Sequence, residues 1–194
     1  GMVLFTMLFA AGVQARYLFG AVVLVAPLFW YLVASTPYRL QRFLAYLDPW
    51  GHRKDTGFQL VESLLGIGNG GWLGQGLGEG KGKLYYLYAA PTDFIAAVIA
   101  EEVGLLGIGV LILLYALVVW RGLRAALRAS EPFGAYAALG LTTLLGGQAL
   151  LNLAVVFGLL PTKGLTLPFV SYGGSSLMTL LAATGVLLSI SGDR

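Results

Sequence analysis

Charged residues are so sparse along this chain that the gaps between them predict its elements. Uncharged stretches cover residues 1–15, 17–38, 103–120, 133–162 and 164–192. All but the first reach the roughly 17–25 residues an α-helix needs to cross the hydrocarbon layer. The pattern predicts spans at 17–36, 93–120, 134–160 and 173–191. The first stretch, 1–15, begins abruptly, with no basic leader or small-residue cleavage site, and reads as the end of a further span rather than a signal peptide. Between the spans lie a long outer interval, 37–92, a short inner loop, 121–133, and an outer connection, 161–172. The expected fold class is an all-α integral membrane protein: one membrane domain, a polytopic helical bundle with a long extracellular or periplasmic loop between the second and third spans.

Composition agrees. With 58% hydrophobic residues, 11% charged residues and a mean hydropathy of +0.81, there is more apolar surface than one soluble core can hide. Arg121, Arg124 and Arg128 cluster after one span, and Arg16 and Arg194 fall at ends of the same parity. The positive-inside rule makes those ends cytoplasmic and places 37–92 and 161–172 outside. The net charge of +3 is spread along membrane boundaries rather than along one face, which argues against nucleic-acid binding. No cysteine is present, so disulfide and thiol chemistry are excluded.

Chemistry belongs to the one interval where charges, glycines and aromatics mix, 48–107. Upstream of it, Pro27 interrupts the backbone donors of a span, and Arg39 and Arg42 alternate with Tyr38, Phe43 and Tyr46 in a pattern suited to a membrane surface. Simple snorkelling of the arginines explains the same pattern. Residues 58–65 permit a short helix with Gln59, Glu62 and Ser63 as its polar groups. Glycine then recurs at 66, 68, 70, 71, 74, 76, 78, 80 and 82. Backbone of that kind can approach phosphate oxygens closely, although a turn-rich loop accounts for it equally. No Gly-Lys-Ser/Thr ending accompanies it, which rules out a nucleotide loop. His52, the sole histidine, reads as a solvated loop residue.

Thr92 is expected to cap the next helix, with Asp93 in its first turn, where the helix dipole favours a carboxylate. Capping alone explains Asp93. The functional reading makes it a group at the outer membrane surface able to take a proton from a hydroxyl. On a continuous helix Ala97 and Ala100 share its face, Glu101 lies about 80° away, and Ala96, Ala100 and Gly104 form a close-packing stripe. Glu101 and Glu102 are too costly to face lipid and imply a structural or channel role. Gln148 and Asn152, four apart, predict interhelical hydrogen bonds. Lys163, Ser171 and Ser175, with the double glycine 173–174, could hold an anionic phosphate, against simple surface anchoring by the lysine.

Together these motifs resemble the SEDS family, the FtsW/RodA/SpoVE group of polytopic membrane glycosyltransferases, over its C-terminal half. The resemblance rests on Asp48-Pro49, Gly57-Phe58-Gln59 with Ser63, Gly70-Gly71 and Gly76, Thr92-Asp93-Phe94-Ile95, Glu101-Glu102, and 161–176. Lys163-Gly164-Leu165-Thr166-Leu167-Pro168 resembles the division-type branch. Where the family commonly reads Tyr-Leu-Pro-Glu-x-His-Thr-Asp-Phe-Ile-Phe, Tyr88, Ala89, Pro91 and Ala96 stand in place of the proline, glutamate, histidine and second phenylalanine.

The resemblance implies polymerisation of lipid II into glycan strands at the outer face of the bacterial plasma membrane for septal wall synthesis. Asp93 matches the essential aspartate. Arg42, Gln59, Ser63, Lys83, Thr92, Lys163, Ser171 and Ser175 are the expected substrate contacts, with Arg42, Lys83 and Lys163 facing pyrophosphate. No organic cofactor and no protein metal centre are expected, with Mg2+ or Mn2+ as an optional aid. The implied partners are lipid II, an undecaprenyl-linked strand, a class B penicillin-binding protein, and other membrane proteins of the division or elongation complex. A flippase for the lipid-linked precursor and a non-catalytic division scaffold are the competing readings.

Overall fold

In the computed structural model, which describes residues 1–80 and 92–192, every regular element is a helix. In chain order they are α1 (Met2–Ala10), α2 (Ala15–Ala34), α3 (Pro37–Leu47), α4 (Phe58–Gly70), α5 (Ile95–Arg128), α6 (Pro132–Val156) and α7 (Gly174–Gly192). Four of these, α2, α5, α6 and α7, are long and apolar enough to cross a membrane.

α6 is the central post, with half of its most apolar window buried. Small residues let α5 come close to it: a side-chain carbon at Gly122 would overlap Thr142 of α6, and one at Gly146 would overlap Val119 of α5. Thr142 turns its hydroxyl back to the Ala138 carbonyl, 2.7 Å away, so this apolar contact leaves no hydroxyl unpaired. α2 contrasts with it. Only Leu18 is buried, while Phe19, Leu24, Phe29 and Trp30 face outward along a helix that continues through Pro27.

The interval 37–92, expected as an outer loop, holds two helices. Pro37 starts α3 at the position where a missing N–H costs nothing. α4 runs five residues beyond the expected 65 and buries Leu60, Val61, Ser63, Gly66 and Gly70 against α5 and α6. At the other end, the arginines expected in a loop lie on a helix: α5 continues to Arg128, and 129–131 alone connect it to α6.

A larger departure is inside α5. Gly104 has φ 76° and ψ −173°, a region open in practice only to glycine, and it breaks the helix. The expected stripe of Ala96, Ala100 and Gly104 on a continuous helix is therefore corrected. Ala96 and Ala100 are buried, but Gly104 is a corner. The backbone groups freed there are taken up by the loop after α4. Gln75 and Gly76 donate to the Glu101 and Glu102 carbonyls at 3.0 and 3.1 Å, while Leu105 and Leu106 donate to the Gly71 and Trp72 carbonyls at 2.9 and 3.2 Å. Side-chain carbons at Gly70, Gly74 or Gly104 would collide with this paired backbone. The glycine run of 70–76 therefore serves a close approach of protein to protein.

The corner turns the first half of α5 back toward the second. Ser171 binds the Thr92 carbonyl and Tyr115 binds the Pro168 carbonyl, two attachments only three residues apart. A straight helix would separate residues 92 and 115 by about 34 Å. Phe94, Ala97 and Ile108, from both sides of the break, share one buried cluster with Leu153, Val156 and Leu167.

Replacing Gly104 by alanine is expected to destabilise the protein by about 1–3 kcal/mol, because the residue must adopt a strained backbone and its methyl meets Gly74 and Trp72. Gly109→Ala, where nothing lies within 4 Å, should be neutral or mildly stabilising. Thermal unfolding of the two variants in detergent measures the difference.

Candidate active site

Asp93 stands in a turn, two residues ahead of α5. Phe94 occupies the N-cap without a side-chain capping bond, so the expected cap at Thr92 and the place of Asp93 in the first helical turn are both corrected. Its orientation comes instead from tertiary contacts. The buried Asn152 of α6 donates from Nδ2 to the Asp93 carbonyl at 2.8 Å, and also to the Leu165 carbonyl. One amide thus joins the turn bearing the aspartate to the segment bearing Lys163 and Gly164. Gly164 lies against the carboxylate: a side-chain carbon built there would be 3.2 Å from Asp93 Oδ2.

Two effects compete on that carboxylate. Burial raises its pKa above the ordinary 3.8, and the positive charge of Arg42 lowers it, with burial the larger. Arg42 comes from α3, where its guanidinium lies 4.8 Å from the Tyr38 ring centroid and donates to the Thr162 carbonyl at 3.4 Å. Tyr46, one turn on, donates to the Leu159 carbonyl at 2.9 Å. Residues 159–173 have no regular structure, yet Leu167 and Pro168 are buried. Backbone in that position needs partners from elsewhere. Gln148 supplies one at Thr166, 2.9 Å from the carbonyl and 3.0 Å from the hydroxyl, and Tyr115 supplies another at Pro168.

Arg42, Thr92, Asp93, Lys163 and Gly164 are thus gathered by α3, the start of α5 and segment 159–173. Lys163 is exposed. Ser63 is corrected: it is fully buried and donates to the Val156 carbonyl at 2.9 Å, so it is a packing bond between α4 and α6 and is closed to substrate. Ser171 spends its hydroxyl within the fold, accepting from Leu167 N at 2.7 Å and donating to the Thr92 carbonyl. Gln59 is half-buried on α4, and Ser175 is exposed in the first turn of α7. Lys83 falls outside the described residues, as do Tyr88, Ala89 and Pro91. Glu101 is buried beside α4, with Oε2 3.8 Å from the position of a side-chain carbon at Gly66.

The sequence predicts Asn152 and Gln148 to be helix-to-helix donors; in the structure they donate to the Asp93, Leu165 and Thr166 carbonyls and the Thr166 hydroxyl, all in non-helical segments. Two amides four apart, followed by a proline-rich and glycine-rich stretch, were the available signal. Among the described residues no three His, Cys, Asp or Glu side chains converge on a metal site. A divalent cation beside Asp93 would have one carboxylate and otherwise the oxygens of a substrate and water.

The whole chain, residues 1–194, matches the family model FTSW_RODA_SPOVE, described as cell cycle protein. It is 54% identical over 191 residues to the "probable peptidoglycan glycosyltransferase FtsW" of Geobacter sulfurreducens, covering 98% of this chain and 51% of that protein. The corresponding protein of Legionella pneumophila is 50% identical over 187 residues, covering 95% of this chain and 48% of that protein. The chain spans about half the length of the curated relatives it matches. Among solved structures, one reported for the structural coordination of polymerization and crosslinking by a peptidoglycan synthase complex contains a similar chain. The TM-score is 0.79 at 31% identity, over all of this chain and 54% of that one. A crystal structure of an aspartate-to-alanine mutant of RodA from Thermus thermophilus matches with a TM-score of 0.52 at 38% identity, over 68% of this chain and 40% of that one. With its apolar helices and the order of its motifs, the chain belongs to the FtsW/RodA/SpoVE family of multi-pass membrane proteins.

Proposed function

We propose that this chain carries the catalytic aspartate and part of the substrate surface of a peptidoglycan glycosyltransferase that polymerises lipid II for septal wall synthesis, with its active site on the outer face of the bacterial inner membrane. The observation that carries the proposal is the arrangement of the Asp93 carboxylate. It is half-buried, lies against Gly164, whose neighbour in sequence is the exposed Lys163, and sits within the field of Arg42.

The arrangement suits a single displacement. Asp93 accepts the proton of the 4-hydroxyl of the acceptor sugar as that oxygen attacks C1 of the donor. The C1–O bond to undecaprenyl pyrophosphate breaks, its electron pair leaves with the pyrophosphate, and the configuration inverts. Arg42 and Lys163 supply positive charge toward the leaving pyrophosphate, and the guanidinium can offer paired donors to its oxygens. Gly164 keeps the space beside the carboxylate open. Partial burial makes the carboxylate more basic than an exposed one, which favours proton acceptance. A class B penicillin-binding protein is the proposed partner, a reading supported by the likeness to a chain of a peptidoglycan synthase complex.

Purified full-length protein with its partner and labelled lipid II should form glycan strands, and Asp93→Asn should lower the rate at least about 100-fold. Undiminished synthesis by that variant would remove Asp93 from the chemistry, and lipid translocation without synthesis would favour a flippase. Normal growth of cells carrying only Asp93→Asn would favour a scaffold.

The pH dependence follows from the raised pKa. Asp93 must be ionised to act, so activity should fall as pH drops through a value above 3.8, and the acid limb of kcat/KM should lie above that of an exposed aspartate. Arg42 holds this pKa down, so Arg42→Gln should move the acid limb to higher pH, whereas Arg42→Lys should largely preserve it. In stability the sign is opposite: a raised acid pKa favours the fold at pH below the unfolded value, and that contribution is lost as pH rises through the folded one. A pH–rate profile and a pH-dependent unfolding series of the same variants test both.

A further inference from the structure

The other end of α5 carries a cluster that the chemistry at Asp93 does not use. Arg121, Arg124 and Arg128 recur at spacings of three and four, which places them on one face of the helix. They line a groove between the ends of α5 and α7 with a volume of about 770 Å³, walled by Leu117, Leu188 and Ser191. Among the described residues none of the three forms an ion pair, and the only ion pair joins Arg53, in the turn before α4, to Glu62 of α4. Glu131, on the connection to α6, is the nearest acid in sequence, and it is not paired with them. Instead two of them gather at an indole: the Arg124 guanidinium lies 4.2 Å and that of Arg121 5.8 Å from the Trp120 ring centroid. An indole steadies a guanidinium without neutralising it.

We propose that this groove is a binding site for an anionic glycerophospholipid, with its headgroup phosphate under the three guanidinium groups and its acyl chains along Leu117 and Leu188. The charge pattern selects the headgroup, since planar guanidinium groups offer paired donors to phosphate oxygens. The apolar walls select a lipid over a soluble anion. Basic pockets between helices at the cytoplasmic membrane boundary take anionic headgroups in this way, and the positive-inside rule places this end of α5 there. Retention of positive residues on the cytoplasmic side requires no groove and no shared face; here both are present.

The test uses the full-length protein reconstituted in nanodiscs of mixed phosphatidylglycerol and phosphatidylcholine, with retained lipid quantified by native mass spectrometry. Phosphatidylglycerol should be retained in preference to phosphatidylcholine. Arg124→Gln, which leaves Arg121 and Arg128 to hold the topology, should reduce that retention about fivefold. Leu188→Trp, which alters no charge, should also reduce it by filling the groove. Lys54→Gln, in the exposed turn before α4, is the charge-matched control and should change nothing. Equal retention by wild type, Arg124→Gln and Leu188→Trp would overturn the proposal. So would equal retention of the two lipids, or release of the lipid by inorganic phosphate alone.

Discussion

A backbone that leaves the helix within an apolar bundle must find partners for its N–H and C=O groups, because hydrocarbon offers none. Among the described residues two such departures, at Gly104 and along 159–173, are paired by protein. At Gly104 the loop 71–76 exchanges four backbone hydrogen bonds with the two sides of the break. Along 159–173 the partners are mainly side chains: Tyr46, Arg42, Asn152, Gln148 and Tyr115, drawn from three helices. Each such bond is modest by itself. Leaving a buried donor or acceptor unmade costs more, and that asymmetry makes the arrangement specific.

The two pairings are linked through α5. The corner at Gly104 folds the first half of α5 toward the second, which brings the turn at Asp93 to segment 165–171. Asn152 then holds both with one amide. The proposed base therefore depends on a glycine eleven positions away that never touches it. The same logic explains why α6 is the most buried of the long helices: it faces α5 through small residues and reaches the irregular segment through its amides.

Charge is divided between the two ends. Near Asp93, one half-buried carboxylate sits in the field of a guanidinium and against Gly164, which suits proton acceptance beside a departing anion. At the far end of α5, three guanidinium groups line a groove with no paired acid among the described residues. Arginine serves different chemistry in the two places because its surroundings differ.

Hydropathy by itself determined the membrane class, the all-helical fold and the four long apolar segments, because a span is a local property of some 20 consecutive residues. The motif around Asp93 was legible for the same reason: Thr92-Asp93-Phe94-Ile95 is contiguous. Tertiary structure alone decided that Gly104 is a corner, since a glycine within an apolar run reads equally as close helix packing. It also decided that Ser63 is spent on Val156, that Asn152 serves two backbone segments, and that the glycines of 70–76 meet α5 backbone. Periodicity reports which face of a helix is apolar. It does not report which distant carbonyl a buried donor will meet, because that partner is set by how the helices pack.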